Sequence, residues 1–341
     1  MSIYFKPRPI KTVPSGFGAK LRSLVISVGF FSIAINSSIG HAHAVYPEGP
    51  VRIVVGFPPG NATDTVARAL ASKLESTLKQ PFIVDNRAGA AGSIGTGHAA
   101  KAKPDGMTLL VGSNGTLAIN PWLYKDLPYK PLQDFAPVAL LASLPMYVVV
   151  HPSVPANTLE DLFALARAKP GELTFGSSGN GSANHLAAAV LADTAKVNIM
   201  HIPYKGSGPA LVDLVGGRLT LMVDTAPAVM NAVKAGQVKV LAVTKPTRAI
   251  AFPDVPTVAE QGYPGFDVQA WLGLLAPSNT NPAILQKLAQ SVAEIGQDKA
   301  YQESMNVVGA EPQGGTPEQF SQYLQSEVNR WGDVVHNLDL K

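Results

Sequence analysis

The chain has 341 residues, of which 46% are hydrophobic and 15% are charged, and its formal net charge is +3. This length and apolar content are enough for a sizeable core and predict about two domains. The chain contains no cysteine, which excludes disulfides, so the core must be stable without cross-links.

The first predicted element, at residues 1–44, is a secretory signal peptide. Five lysines and arginines and no acidic residue precede residue 45, and the apolar stretch LVISVGFFSIAI is followed by the small residues Ala42 and Ala44. We expect cleavage after Ala44 and release of an exported, soluble protein, because the apolar stretch is short for a membrane span. The remaining chain has 22 basic and 24 acidic residues, which gives no reason to expect nucleic acid as a partner.

From residue 45 onward, strand-like and helix-like runs alternate, which is typical of layered α/β proteins. The run VRIVVG is short, β-branched and bounded by turn residues, and it predicts a buried strand. An apolar residue at every fourth position from Val66 to Leu78 then predicts an amphipathic helix, with Thr63 or Asp64 as its N-cap. The loop FPPGNATD therefore joins the end of a strand to the start of a helix.

Later strands are predicted in the runs QPFIVDN, MTLLVGSNGT, MYVVVHP, ELTFGSS, LTLMVD, VKVLAV and VQAWLGLLAP. Helical patterns follow several of these runs, and the chain is mostly helical after Pro282. The face of the last helix that is predicted to be buried consists of Phe320, Leu324, Val328 and Trp331. Trp271 and Trp331 are interpreted as core aromatics, which is the default for tryptophans flanked by apolar residues.

Four loops share a composition rich in glycine, serine and asparagine: FPPGNATD, GSNGT, GSSGNGSAN and YKGSGPA. Glycine lets the backbone approach a ligand closely, and serine, threonine and asparagine supply neutral donors. Ligands of open α/β sheets bind at the carboxyl ends of strands, and a helix start offers unpaired N–H groups. Together these loops predict a polar anion site with little formal positive charge, although FPPGNATD alone is explained as well by a capped turn.

Nucleophilic catalysis is the main alternative to binding. Ser178 in GSSGNG could form a hydrolase triad with His185 and Asp224, but a nucleophile elbow requires glycine two residues after the serine, where Asn180 stands. His185 falls in the first turn of a predicted helix, which disfavours a charged imidazole. We therefore interpret His185 as a neutral partner of a ligand or of a neighbouring loop.

No cofactor or metal is expected. The GAAGSIGTG stretch does not follow a strand end and lacks the spacing of a dinucleotide fingerprint, so close packing of small residues explains it better. None of the glycine-rich loops ends in the Gly-Lys-Ser/Thr of a phosphate-binding loop. The histidines after residue 44 are scattered without metal-ligand spacing.

The order of several motifs resembles the Bug family, the extracytoplasmic solute receptors of tripartite tricarboxylate transporters. The resemblance covers residues 45–341 and rests on YPEGPVRIVVGFPPGNATDTVAR, VDNRAGAAGSIGTGHAAKAKPDGMTLLVGSNGT, GSSGNGSANHLAAAVL, IPYKGSGPALVDLVGGRL, FPDVPTVAEQGYPGF, WLGLLAP and TPEQFSQYLQSEVNRWGDVVH. It implies the type II periplasmic binding protein fold, in which two α/β domains, joined by two crossing segments, close on a ligand. With MYVVVHP and VQAWLGLLAP as the crossings, residues 45–145 and 271–341 form domain 1 and residues 146–270 form domain 2.

The resemblance also implies a ligand class and a set of contacts. The ligand is expected to be a small di-, tri- or aromatic carboxylate, held between a first-domain loop and the second-domain Gly/Ser loop, partly through ordered waters. The first-domain contacts implied are Phe57, Gly60, Asn61, Ala62, Thr63, Asp64, Ser113, Asn114 and Thr116. The second-domain contacts implied are Ser177, Ser178, Gly179, Asn180, His185, Gly206 and Asp224. The family commonly has glycine at the positions of Asn61 and Ala62, so we expect this loop to bend differently and Asn61 to add a side-chain donor.

The expected function is delivery of a carboxylate to a membrane permease by a monomeric, non-enzymatic receptor without a cofactor. Two alternatives stay open: an exported serine hydrolase that uses Ser178, His185 and Asp224, and a ligand sensor subunit for a membrane kinase. Turnover of a bound ester would distinguish the hydrolase. Co-purification with a kinase instead of a permease would distinguish the sensor.

Overall fold

The computed structural model describes residues 46–337. The predicted signal peptide and its cleavage site after Ala44 lie outside these residues. Within the described range, no helix is both long enough and apolar enough to cross a lipid bilayer.

Eleven strands of the described chain form two sheets. They are β1 (Val51–Val55), β2 (Phe82–Asn86), β3 (Thr108–Ser113), β4 (Phe135–Leu144), β5 (Met146–Val150), β6 (Thr174–Ser177), β7 (Met200–Pro203), β8 (Leu221–Thr225), β9 (Lys239–Val243), β10 (Ala270–Pro277) and β11 (Glu311–Pro312). The six-stranded sheet has the order β11-β4-β10-β3-β1-β2, and the five-stranded sheet has the order β7-β6-β8-β5-β9. Both sheets are mixed. In the first, β1 is parallel to β2 and β3, and β10 is antiparallel to β3 and β4. In the second, β6 is parallel to β7 and β8, and β5 is antiparallel to β8 and β9.

Helices alternate with these strands, which confirms the predicted α/β class. They are α1 (Ala62–Leu78), α2 (Ser93–Ala100), α3 (Asn120–Leu123), α4 (Pro131–Asp134), α5 (Leu159–Ala168), α6 (Ala183–Thr194), α7 (Ser207–Val215), α8 (Ala226–Lys234), α9 (Pro282–Gly296), α10 (Lys299–Val307) and α11 (Pro317–Asn337). Two short helical turns, Ala90–Gly92 and Gly115–Ile119, precede α2 and α3.

Each sheet and its helices form one lobe, and the chain passes between the lobes twice. The first lobe contains β1–β4, β10 and β11, and the second lobe contains β5–β9. One connection is Pro145, between β4 and β5, and the other is the segment 244–269, between β9 and β10. The runs predicted as crossings, MYVVVHP and VQAWLGLLAP, contain β5 and β10, which directly follow these connections. The exact domain boundaries stay a prediction.

The C-terminal helix buries the predicted face. Phe320 and Trp331 are each 1% exposed, and Leu324 and Val328 are also buried. Phe320 lies directly on Gly273 of β10, where a β-carbon would come within 2.1 Å of the ring. The missing side chain of Gly273 therefore lets α11 approach the first sheet closely.

Helix α1 begins earlier than predicted. Its N-cap is Asn61, which is extended (φ −83°, ψ 172°) and accepts a hydrogen bond from the Asp64 N–H. The prediction that Thr63 or Asp64 caps this helix is therefore wrong, since both lie inside it. The left-handed conformation of the loop falls on Gly60 (φ +88°). Because glycine takes that position, Ala62 becomes the first helical residue without a positive φ.

The GAAGSIGTG stretch packs closely, as predicted. A β-carbon on Gly56 would lie 2.6 Å from the carbonyl oxygen of Gly92. Ala90 and Ala91 adopt φ values of +45° and +51°, which are costly for alanine. The Ala91 carbonyl accepts a 3.0 Å hydrogen bond from Asn120 Nδ2, which holds this strained turn against α3.

Candidate ligand-binding site

A cavity of about 530 Å³ lies between the two lobes. The first lobe lines it with residues that follow β1 and β3, and the second lobe with residues that follow β6, β7 and β8. The walls therefore consist of loops at strand ends from both sheets, where ligands of α/β proteins usually bind.

Four helices of nine residues or more begin at this cavity. The capping residue of each helix lines it: Asn61 for α1, Ser182 for α6, Gly206 for α7 and Thr225 for α8. The turn Gly115–Ile119 also starts there, after Asn114. Each helix start has unpaired N–H groups and carries roughly half a positive charge, so the helices make the cavity electropositive.

Of the described residues that line the cavity, none is lysine, arginine or histidine, and Asp224 is the one that carries a charge. An anion in this cavity would meet backbone N–H groups and neutral side chains instead of a cation. This is the kind of site that the composition of the loops predicts.

The first-lobe wall contains a buried acid that is neutralised locally. The Asp64 carboxylate accepts hydrogen bonds from the Gly60 N–H (2.9 Å), from Arg68 Nε (3.0 Å) and from Asn86 Nδ2 (2.9 Å). Burial raises the pKa of Asp64, but these hydrogen bonds and the Arg68 charge outweigh it and hold the pKa below its usual value. Asp64 does not line the cavity, so its charge is directed to Arg68 and not to a ligand.

The second-lobe wall is organised around the amide of Asn184. Its Oδ1 accepts hydrogen bonds from the Ser178 N–H (3.2 Å) and the Ser178 hydroxyl (2.9 Å). Its Nδ2 donates to Asp224 Oδ2 at 2.7 Å. The Ser207 hydroxyl donates to the same Asp224 oxygen at 2.6 Å, and the Thr225 N–H donates to Asp224 Oδ1 at 2.8 Å. One amide therefore connects the loop after β6 to the acid at the end of β8.

Asp224 is a buried carboxylate without a cationic partner among residues 46–337. It is 4% exposed and still reaches the cavity. Burial raises the pKa of Asp224, although the hydrogen bonds from Ser207, Thr225 and Asn184 favour its charged form. The residues that bond to this acid stand at the N-termini of α6, α7 and α8, whose positive ends therefore lie close to it.

The hydrolase triad is not assembled. Ser178 and Asp224 both bond to Asn184, and His185 Nδ1 accepts a hydrogen bond from the Gly181 N–H at 3.1 Å. The His185 ring stacks on His201 at 3.9 Å between centroids, and burial, with the charge of His201 second, lowers the pKa of His185 to about 4. His185 is therefore a neutral acceptor that shapes the loop, one of the two roles expected for it. Residues 46–337 contain no cluster of acidic and histidine side chains that could hold a metal ion.

The floor of the cavity is apolar and comes from the strands next to the lobe connections. Leu144, Met146, Trp271 and Leu272 form most of this floor. The Trp271 indole is 1% exposed and donates through Nε1 to Glu327 Oε2 at 2.8 Å, and Trp331 donates to the same oxygen at 3.1 Å. The prediction that Trp271 and Trp331 are core residues is confirmed, and Trp271 is in addition a wall of the cavity.

The lobes touch each other at the rim. Gly181 of the loop after β6 and Leu123 of α3 are so close that a β-carbon on Gly181 would lie 2.4 Å from Leu123 Cδ1. Elsewhere Lys245, which follows β9, forms a mostly buried ion pair with Glu311 of β11. These two contacts join the lobes, one beside the cavity and one away from its lining.

Most residues predicted for the site line this cavity: Phe57, Asn61, Ala62, Thr63, Ser113, Asn114, Ser178, Gly179, Asn180, Gly206 and Asp224. Five of the predicted residues do not: Gly60, Asp64, Thr116, Ser177 and His185. Thr116 and Ser177 support the walls from behind, through bonds to Ser113 and to His201. Which of these residues contact a ligand stays a prediction.

Several lining residues were missed by the sequence analysis. The polar ones are Asn120, Ser182, Asn184, Ser207 and Thr225. Ser182, Asn184 and Ser207 lie inside two loops that the composition had already singled out, and Ser182 stands at a recognisable N-cap position. Asn120 and the floor residues have no comparable local signal.

Comparison with known proteins shows a family relationship over most of the chain. A family described as "Tripartite tricarboxylate transporter family receptor" matches residues 66–340. The protein BugT of Bordetella pertussis is 38% identical over 319 residues, which cover 93% of this chain and 98% of BugT.

Two solved structures share both sequence and fold with this chain. A protein of R. palustris with adipate is 35% identical, with a TM-score of 0.78 over 86% of this chain and 98% of that protein. MatC from Rhodopseudomonas palustris with bound malate is 34% identical, with a TM-score of 0.73 over 85% of this chain and 100% of MatC.

Proposed function

Because this chain belongs to the family of tripartite tricarboxylate transporter receptors, we propose that it captures a small carboxylate between its lobes and delivers it to a membrane permease. The observation that carries this proposal is the start of four helices at one cavity that no described lysine or arginine lines. Such a cavity stabilises a small anion. The adipate-bound and malate-bound relatives hold ligands of this class.

The first-lobe end of the carboxylate site is the start of α1. Ala62 and Thr63 are the first two residues of this helix and both line the cavity. Their N–H groups belong to the first turn, which has no intrahelical acceptors, so a ligand carboxylate can take their place. The opposite end is the loop 178–184, which reaches the cavity at the start of α6.

Capture and release follow from the two-lobe construction. Closure around a ligand removes water and strengthens hydrogen bonds to its charge. The rim contact between Gly181 and Leu123 joins one wall to the other, so it forms only when the lobes are close. Opening of the lobes weakens every contact at once, which permits transfer to a permease.

The alternative of a serine hydrolase has no support in the geometry, because Ser178, His185 and Asp224 are not hydrogen-bonded to one another. We further propose that residues 1–44 direct export to the periplasm, that cleavage follows Ala44, and that the mature receptor acts as a monomer. N-terminal sequencing of protein from the cell envelope tests the cleavage site, and an intact Met1 on a cytoplasmic protein would contradict it.

The binding proposal is tested by native mass spectrometry of the gently purified protein, followed by a melting screen with carboxylates. A ligand at a hundredfold excess over its dissociation constant stabilises the folded form by about 2.7 kcal/mol. Each kcal/mol of stabilisation raises the Tm by roughly 2–8 °C, depending on the size of the unfolding domain. Amides and methyl esters of the active acids should produce no shift. If no carboxylate raises the Tm and no acid is carried through purification, the proposal is wrong.

A further inference from the structure

The charge of the cavity poses a problem for a receptor of anions. The one charged residue that lines it among the described residues, Asp224, is negative. Asp224 is 4% exposed, so water screens it poorly. A ligand carboxylate placed against it would be repelled, and no lysine or arginine of the described lining offsets that repulsion.

Asp224 accepts hydrogen bonds from residues at the starts of three helices, with the Thr225 hydroxyl as a further partner, and it still reaches the cavity. Oδ2 accepts from Asn184 Nδ2 and from the Ser207 hydroxyl, while Oδ1 accepts from the Thr225 N–H. A carboxylate has about four acceptor sites and no donor when it is ionised. The group that faces Asp224 from the cavity must therefore bring a hydrogen.

The helix N-termini of the two walls differ in whether an acid faces them. The N-termini of α6, α7 and α8 lie beside Asp224, and their positive ends are directed to this acid. The N-terminus of α1 has no acid directed into the cavity, because Asp64 is turned to Arg68 and Asn86. The first-lobe wall is therefore the favourable place for a ligand carboxylate, and the Asp224 side is the place for a donor.

We propose that Asp224 makes this receptor selective for carboxylates that carry a hydrogen-bond donor, a hydroxyl or an ammonium group, on the carbon skeleton near the bound carboxylate. This inference rests on the proposed carboxylate binding. The carboxylate lies at the start of α1, and the donor bonds to Asp224 across the cavity. An acid without such a donor leaves Asp224 facing an apolar group, a second anion or an immobilised water, and each of these is less favourable than a bond from the ligand itself.

The test uses two sets of acids that differ only in the donor. Succinate, malate and aspartate form one set, and glutarate, 2-hydroxyglutarate and glutamate form the other. Dissociation constants are measured by calorimetry at about pH 7.5, where the carboxyl groups are ionised and the amines are protonated. In at least one set, the hydroxy or amino acid should bind roughly tenfold to a hundredfold more tightly than the parent acid, which is the value of a hydrogen bond to a charged group. Within that set, the tighter binder of the hydroxy acid and the amino acid shows whether the donor is a hydroxyl or an ammonium group.

The second part of the test measures the same dissociation constants on the variant Asp224→Asn. The amide keeps the shape, and its oxygen can still accept from Asn184 and Ser207. It is neutral, and its NH2 group replaces the oxygen that accepts from the Thr225 N–H. We expect the preference for the donor-bearing acid to fall below about threefold, with tighter binding of the parent acid. Asp193→Asn is the matched control, since Asp193 lies at the exposed end of α6 beside Lys196, and it should leave the preference unchanged.

The outcomes separate this inference from the function on which it rests. If parent and donor-bearing acids bind equally to the unmodified receptor, or if Asp224→Asn keeps the full preference, the role of Asp224 is wrong while carboxylate binding stands. If none of the acids binds and no other carboxylate raises the Tm, both proposals fail. The comparison of acids on the unmodified receptor remains decisive even if Asp224→Asn does not fold.

Discussion

Asp64 in the first lobe and Asp224 in the second are both buried carboxylates beside the same cavity, but their partners differ. Asp64 is paired with Arg68, faces away from the cavity, and has a lowered pKa. Asp224 has neutral donors, reaches the cavity, and has a pKa raised by burial. An acid paired with an arginine supports the fold, whereas a buried acid without a cation weakens it and is typical of a functional site. We therefore assign Asp64 to the stability of the first-lobe wall and Asp224 to the selection of the ligand.

The largest effect is expected from removing the amide that holds the second-lobe acid. Asn184→Leu keeps the branched shape but leaves the Ser178 N–H without a partner and removes one of the three hydrogen bonds that Asp224 accepts. Because unsatisfied buried polar groups are costly, the free energy of unfolding in urea should fall by about 3 kcal/mol. Asn180→Ala, an exposed position in the same loop, is the control and should change it by less than about 0.5 kcal/mol. Equal losses in the two variants would show that the network does not support the wall.

The two acids should respond to neutralisation in opposite directions. At pH 7, Asp64→Asn should lower the free energy of unfolding by about 1–2 kcal/mol, because it removes the charge that Arg68, Gly60 and Asn86 stabilise. Asp224→Asn should instead raise it by up to about 1 kcal/mol, because it removes a buried charge that costs stability. Urea unfolding of both variants and of the unmodified protein measures the two differences.

The two acids should also change the pH dependence of the free energy of unfolding in opposite ways. The folded-state pKa of Asp64 is depressed, so its contribution is present above the ordinary pKa of about 4 and is lost as the pH falls through the folded value. The folded-state pKa of Asp224 is raised, so its cost is present above that value and disappears as the pH falls toward about 4. Between pH 7 and pH 3 the curves of the two variants should therefore approach that of the unmodified protein from opposite sides. Curves that approach it from the same side would refute the assignment.

The rim contact between the walls should affect ligand affinity more than stability. Gly181→Ala places a β-carbon 2.4 Å from Leu123 Cδ1, at a position with φ +72°, so the lobes cannot close fully. We expect about a tenfold loss of affinity for the bound carboxylate, equivalent to about 1.4 kcal/mol. Gly208→Ala, where a β-carbon meets nothing within 4 Å, is the control.

A second variant separates the clash from the strained backbone at Gly181. Leu123→Ala removes the atoms that the new β-carbon would meet, so the double variant Gly181→Ala with Leu123→Ala should regain part of the lost affinity. No recovery would mean that the conformation of the loop, and not the contact between lobes, causes the loss.

The smallest effect is expected in the first-lobe wall, at Asn61. Its side-chain oxygen caps α1 by accepting from the Asp64 N–H at 2.8 Å. Glycine is tolerated at an N-cap, so Asn61→Gly should cost a few tenths of a kcal/mol, whereas Asn61→Ala should cost about 1 kcal/mol. Affinity of Asn61→Gly should stay within about threefold. A large loss of affinity would instead show that the amide donates to the ligand, as the comparison with the family's glycine loop suggested.

The sequence predicted those parts of the site that depend on local pattern. Ser113 and Ser178 lie at the ends of predicted apolar runs and line the cavity, because the end of a strand is readable from the run itself. Gly206 follows β7, a strand that the sequence did not predict, and was found from the composition of its loop. Prediction was weaker for Asp64 and His185, which belong to the same loops but do not line the cavity. The direction of a side chain in the first turn of a helix depends on which donor it meets, and composition does not contain that information.

The sequence by itself determined the alternation of strands and helices, the glycine- and serine-rich loops at the strand ends, and the buried face of α11, because each arises from neighbours a few residues apart. Only the tertiary structure decided the pairs that build the walls and floor. Asn184 meets Asp224 across 40 residues, and Trp271 meets Glu327 across 56. Such contacts depend on how whole elements pack, so no local periodicity encodes them. The selectivity we assign to Asp224 is of this kind, since it follows from the absence of a cationic partner within residues 46–337, around a residue whose surroundings the fold alone brings together.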